Sequence, residues 1–134
     1  MDTGIDVRTD FPPDDEAVSR LHALAFGSES VKVEPWGDRL RRHSVTWAGA
    51  FDDDELVGFV HVVGDGGVHG FVLDTVVHPA HQRRGVGRAV VIAAVERARA
   101  AGCTWLHVDF EPHLGDFYAS CGFEPTAAGL MRLQ

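Results

Sequence analysis

The β-branched run Thr75-Val76-Val77 breaks at Pro79, passes through Gln82-Arg83-Arg84-Gly85-Val86-Gly87, and opens directly into a long alanine-rich segment of helical pattern. A strand, a tight glycine turn and a helix in immediate succession restrict the chain to mixed α and β architectures. Gly85 and Gly87 carry no Cβ to hold a ligand away from the backbone, and the first amides of the helix lack intrahelical partners. The helix dipole adds partial positive charge at the same end. Arg83, Arg84 and Arg88 surround the turn with guanidinium groups suited to phosphate oxygens. The junction therefore reads as a cradle for a pyrophosphate.

The flanking pattern supplies the rest of the layout. Asp14 begins a helical stripe of Val18, Leu21, Leu24 and Ala25 that stops at Gly27, and a short basic helix over 36–43 carries Arg39, Arg41 and Arg42. Residues 5–8 read as a first strand. Strands over 45–51, 56–63 and 68–77, joined by the polar turns 52–55 and 64–67, predict an antiparallel meander. The helix over 85–101 should turn Val86, Val90, Val91, Ala94, Val95 and Ala98 toward the sheet, leaving Arg97 to snorkel. Residues 105–110 read as a buried strand, parallel to 68–77 because a helix crosses between them. Pro112 and Gly122 bracket a last helix that Gly115 weakens, and 129–134 read as a closing strand.

At 134 residues the chain is expected to be one domain over 1–134. No apolar run approaches the roughly 20 residues of a membrane span, and the polar start Met1-Asp2-Thr3 lacks the regions of a signal peptide. A soluble, cytoplasmic protein is expected, with no membrane partner. Cys103 and Cys121 lie outside metal-type spacing and read as reduced thiols. A net charge of −8 argues against a nucleic-acid partner. Fifteen acidic and six basic residues precede Thr75, against five and six from Thr75 onward. The acidic half keeps a small protein soluble, or it meets a positively charged substrate.

Two motifs in order, Gln82-Arg83-Arg84-Gly85-Val86-Gly87 after the strand and Tyr118-Ala119-Ser120-Cys121-Gly122-Phe123 one strand later, make the C-terminal half resemble the GNAT superfamily of N-acetyltransferases. The resemblance implies a mixed α/β (α+β) fold with a mostly antiparallel sheet, splayed between its fourth and fifth strands and flanked by helices. It implies acetyl-CoA as donor substrate, no metal, and direct attack by a primary amine, from a small molecule or a protein. It also allows a homodimer. Carried over by position, the resemblance implies that Thr75, Val76 and Val77 hold the pantetheine arm. The turn residues Gln82, Arg83, Arg84, Gly85, Val86, Gly87 and Arg88 then hold the pyrophosphate. Tyr118 is implied as the general acid that protonates the departing thiolate, since a phenol keeps its proton at pH 7.

The amine must lose a proton, and three carboxylates are candidates for the base: Asp74, on the strand leading to the turn, and Asp109 and Glu111 near the end of the next strand. His107, Asp109 and Glu111 alternate and share a face while that strand lasts. Glu111 departs from the asparagine that many family members carry there. Two other readings compete. One is a non-catalytic acyl-CoA-binding module that keeps the fold. The other is a metal-dependent hydrolase or oxygenase, with His107, Asp109 and His113, or His78 and His81, as ligands; no closed site has those spacings. Trp36 and Trp47 could line an amine pocket through cation–π contacts, with core packing the expected use of Trp47.

Overall fold

Two tight turns set the order of the central strands. A computed structural model describes residues 4–134, leaving the polar start at residues 1–3 outside the described part. The elements are β1 (Ile5–Thr9), α1 (Asp15–Ala25), α2 (Trp36–His43), β2 (Ser44–Asp52), β3 (Glu55–Gly64), β4 (His69–Val77), α3 (Val86–Ala100), β5 (Trp105–His107) and α4 (Gly115–Ser120). They form a five-stranded sheet in the order β1-β2-β3-β4-β5. The first four strands are antiparallel and β5 runs parallel to β4, so the mixed, mostly antiparallel sheet flanked by helices is present as expected. Among the described residues no helix is long and apolar enough to cross a membrane.

Each face of the sheet has its own core. On one, Val86, Val90, Val91, Ala94 and Ala98 of α3 pack on Ala48, Ala50, Val57, Val60, Val62 and Val72. On the other, α1 and α2 bring Val18, Leu21, Trp36 and Leu40 against Phe51, Leu56, Phe59 and Val76. Arg97 reaches past the first core to Asp10 at 3.2 Å. Trp47 packs at the edge of the second and donates its Nε1 hydrogen to the Phe11 carbonyl at 2.8 Å.

Gly58 sets how closely α3 approaches. A Cβ there would lie 2.7 Å from Val86 Cγ1 and 3.2 Å from the Ala50 Cβ, so only hydrogen lets the first turn of α3 sit down on β3. Gly58→Val is expected to cost about 1–3 kcal/mol by overpacking, read as a lowered Tm. It should also weaken any ligand held by that first turn, which a Tm change caused elsewhere in the molecule would not do.

β4 and β5 pair over only three residues, His69 to Phe71 against Trp105 to His107, and then part. The gap is the splay. It also bears on two departures from the sequence reading. The strand expected over 105–110 ends at His107, and Trp105 is 65% exposed because no helix covers that part of the sheet. Residues 129–134 form no strand; β5 offers too short a ladder to extend, and Leu130, Met131 and Leu133 stay exposed. Leu24, assigned to the buried stripe of α1, is also exposed. The last helix divides at Gly115 into a 3-10 turn, Pro112–Leu114, and α4.

Candidate active site

The N-terminus of α3 is left uncapped. Its N-cap, Gly85, supplies no side-chain bond and its first turn holds no acidic residue. α1 is the contrast: Asp14 caps it by accepting from the Glu16 and Ala17 amides, with Asp15 and Glu16 following. The first helical bond of α3 is Ala89 N–H to the Gly85 carbonyl, so the amides of Val86, Gly87 and Arg88 have no intrahelical acceptor. Arg83 (φ 64°) and Gly85 (φ 77°) both take left-handed backbone, the kind of turn that makes an anion-binding concavity from backbone N–H groups.

That terminus opens on a cleft of about 630 Å³ lined by Thr75, Val77, Gln82, Arg83, Gly85, Val86, Gly87 and Arg88 on one side, and by His113, Leu114, Phe117, Tyr118 and Ser120 on the other. Arg88 ties the two sides together, donating from Nε to the Ser120 carbonyl at 3.0 Å. Tyr118 is 6% exposed. Its ring stacks on Phe110 at 4.9 Å and meets Phe117 and Phe123 edge-on, so the phenol is fixed in an aromatic box. Burial pushes its pKa up. The Thr75 hydroxyl, buried and without a well-aligned bond, sits close enough to oppose that shift. Burial likewise pushes the Cys121 thiol up, which keeps it protonated and a poor nucleophile.

On the opposite face lies a group that no local pattern announces. Between Phe59 and His61 of β3, β4 carries one extra residue, and Asp74 takes a left-handed φ of 59°. This bulge re-phases the strand, sending Thr75 into the cleft and Asp74 toward α1. Asp74 Oδ2 meets His61 Nε2 at 2.7 Å and Oδ1 meets His22 Nε2 at 3.2 Å. His61 Nδ1 in turn meets Ser44 Oγ at 2.9 Å. The hydrogen bond from His61 is the main reason the Asp74 carboxyl lies below its usual range, against an opposing effect of burial, with His22 adding to the lowering.

The sequence-assigned residues are distributed unevenly around these two sites. Thr75 and Val77 line the cleft, whereas the Val76 side chain turns into the α1/α2 core, leaving only its backbone on the cleft strand. Arg84 is exposed beside the turn and is absent from the cleft wall. Asp109 borders a separate small gap of about 50 Å³ with Phe71, Leu73 and His107, and Glu111 is exposed and borders neither space. The shared face of His107, Asp109 and Glu111 is lost because β5 ends at His107. The histidines grouped as metal ligands have other partners: His107 Nε2 meets His69 Nδ1 at 2.8 Å, His81 meets Asp52 at 3.2 Å, and His78 accepts from the Ala80 amide. Trp36 is buried under Arg39, whose guanidinium lies 4.7 Å from the ring centroid. Missed altogether were His22, Ser44 and His61, while of the cleft residues Leu114, Phe117 and Ser120 were given no part in binding and His113 was read only as a metal ligand. The one available signal was His61 itself, a single imidazole in the apolar run 56–63.

A splayed sheet with an uncapped helix terminus facing a buried tyrosine sets the layout of the site, and comparison with known proteins places the chain in a family. Residues 9–123 match the acetyltransferase (GNAT) family, and the chain belongs to it. It is 37% identical over 123 residues to mycothiol acetyltransferase of Kineococcus radiotolerans, covering 83% of this chain and 39% of that protein. It is 46% identical over 54 residues to glucosamine 6-phosphate N-acetyltransferase 1 of Oryza sativa subsp. japonica, covering 40% of this chain and 33% of that one. The chain spans about two fifths or less of the length of these curated relatives. Among solved structures, a putative acetyltransferase from Agrobacterium tumefaciens superposes with a TM-score of 0.80 at 23% identity, over 96% of this chain and 99% of that one. An aminoglycoside acetyltransferase from an uncultured soil sample gives 0.79 at 14% identity, over 98% and 97%, a likeness of fold.

Proposed function

We propose that the protein is an N-acetyltransferase that binds acetyl-CoA in the cleft beside α3 and transfers the acetyl group directly to a primary amine arriving from the α1/α2 face. The observation that carries this reading is the uncapped first turn of α3, open to a cleft that runs from that turn to Thr75 and Tyr118. The amides of Val86, Gly87 and Arg88 would hold the pyrophosphate, with Gln82, Arg83 and Arg88 on the cleft wall around it and Arg84 outside that wall beside the turn. The backbone of Thr75, Val76 and Val77, which pairs with β3 on one edge at Val76 and Val77 and is open on the edge that β5 leaves, would hold the pantetheine arm as an added strand does.

Asp74 and Thr75 are neighbours in sequence that point to opposite faces, one toward the histidines and one toward Tyr118. On this reading the reaction belongs beside this stretch of β4, where the two residues adjoin. The ammonium gives one proton to a base on the α1/α2 face, and the free amine attacks the thioester carbonyl carbon. As the C–N bond forms and the C–S bond breaks, the sulfur takes the Tyr118 proton. The nitrogen loses its extra proton, the phenolate recovers one, and one proton in all is released per turnover. Cys121 is buried with a raised pKa, which favours direct attack over an acyl-enzyme. An acyl-CoA-binding module would share the cleft and would not need Tyr118.

The matched relatives support an amine acceptor, and the acidic N-terminal half would draw a cation toward the α1/α2 face. The test is release of free thiol from acetyl-CoA across glucosamine 6-phosphate, an aminoglycoside, amino acids and a peptide with a free N-terminus, alongside calorimetric titration with CoA. Amine-dependent thiol release is expected. CoA binding without turnover of any amine would favour the binding module, and absence of CoA binding would end the proposal.

A further inference from the structure

We infer that the base that deprotonates the amine is His22, acting through its Nδ1, while Asp74, His61 and Ser44 fix its tautomer and position. The inference rests on the transferase reading above and assigns a residue of that site.

The assignment follows from counting donors and acceptors along the chain Ser44–His61–Asp74–His22. A carboxylate only accepts, so both imidazoles must present a protonated Nε2 to Asp74. In His61, which is buried, the remaining Nδ1 then accepts from the Ser44 hydroxyl at 2.9 Å. Both of its nitrogens are engaged, and so are both oxygens of Asp74. His22 differs: with Nε2–H given to Asp74, its Nδ1 carries a free lone pair, and among the described residues no protein group bonds to it. The His22 side chain is 32% exposed, whereas that of His61 is 4% exposed. Asp74 is as exposed as His22, at 34%, and each of its oxygens keeps a second lone pair, but both oxygens are already committed to imidazole donors. His22 is the group that offers an accessible basic atom with no protein partner.

The surroundings suit the task. The ring is held by Phe26 at 4.8 Å and Trp36 at 5.6 Å between centroids, which limits its rotation without closing it off. The charged and titratable groups packed around it are Asp74 from β4 and His61 from β3. From α2, on the Trp36 ring, comes Arg39, itself paired with Glu34 at 3.2 Å. Asp74 is the negative charge in contact with the ring, so an imidazolium formed on His22 is stabilised where it arises. A carboxylate held below its usual range is a poor match for an ammonium near pKa 10, and an imidazole is a closer one. The proton moves from the amine nitrogen to His22 Nδ1, the nitrogen keeps the electron pair that attacks the thioester, and His22 returns the proton to solvent.

His22→Gln keeps an amide donor within reach of Asp74 and removes the titrating nitrogen. Its kcat/KM, with the amine that turns over fastest, is expected to fall by about 10²-fold or more while CoA affinity is unchanged, and the acid limb of the pH profile should disappear. Added imidazole should restore part of the rate in His22→Gly. A His22→Gln enzyme within about threefold of wild type, with the same acid limb, would overturn the inference while leaving the transferase reading intact. Failure of wild type to bind CoA would instead overturn that reading. Nitrogen-15 NMR of the unliganded wild-type protein gives an independent answer, needing no acceptor. The neutral rings of His22 and His61 should both carry their hydrogen on Nε2, and a neutral His22 with its hydrogen on Nδ1 would reject the assignment.

Discussion

Gly87→Glu should abolish CoA binding, weakening it by about 10³-fold or more, so that no heat is detected at concentrations that saturate wild type. Gly87 is the second residue of α3, and its amide is one of the donors with no intrahelical acceptor. A side chain there grows from a crowded point: the Cβ would lie 3.2 Å from Phe117 Cε1 and 3.3 Å from Val77 Cγ2. A glutamate then has little choice but to turn into the cleft, where its carboxylate meets the pyrophosphate as a like charge in place of a donor. Losing two or three charge-assisted bonds at about 1.5–3 kcal/mol each is enough for the stated effect before repulsion is added. Gly87→Ala separates the contributions. It asks Phe117 to move by a few tenths of an ångström, adds no charge, and should weaken CoA by only about tenfold. Both variants should keep a cooperative thermal transition. If Gly87→Glu binds CoA as wild type does, the pyrophosphate does not sit at this terminus.

That terminus was legible because every signal for it is local. The β-branched run, Pro79, Gly85 and Gly87 three and five residues after Gln82, and an apolar arc repeating at helical period all fall within about two dozen consecutive residues. Val86, Val90, Val91, Ala94 and Ala98 are buried as the period requires. Tyr118 was legible for the same reason, by its register with Gly122 and Phe123. The opposite face was not, because its assembly depends on a single inserted residue. Period-two reading carries a strand through without noticing a bulge, yet the bulge at Asp74 decides which face its carboxylate meets. His22 lies 52 positions from Asp74 and belongs to a helix whose docking is set by Val18 and Leu21, so nothing near either residue announces the pair.

The errors at β5 and the tail have a different origin. An apolar run such as 105–110 reads as buried only if something covers it, and coverage is a tertiary fact. Trp105, Phe71 and Leu73 lie on a part of the sheet that α1 and α2 do not reach, and all three are exposed. The same gap that shortens β5 leaves the β4 backbone free beside the cleft. The strand lost from the sequence reading and the open β4 edge proposed to hold the pantetheine arm are therefore one structural event.

Tyr118→Phe is the variant that isolates chemistry from binding. It should lower kcat by about 10²-fold and leave CoA affinity nearly unchanged. The aromatic box of Phe110, Phe117 and Phe123 holds the ring itself, so removing the hydroxyl disturbs the contact with Thr75 and little else, and the Tm should move only slightly. The size of the effect follows from the direction of the pKa shift. Burial raises the phenol above its ordinary value near 10, while an ordinary thiol titrates near 8.5. Complete transfer of the proton to sulfur is therefore uphill, and the larger benefit is the hydrogen bond that strengthens as negative charge develops on the leaving sulfur. Loss of one such donor is a partial defect, since the thiolate can still depart and be protonated by water. The same shift places loss of the wild-type proton donor above pH 10, so kcat should stay level through the mildly alkaline range. An early alkaline fall in kcat that persists in Tyr118→Phe would have to come from another group. An unaltered kcat in Tyr118→Phe, with the chemical step limiting in single-turnover measurements, would remove Tyr118 from the acid role and leave the thiolate to leave unassisted.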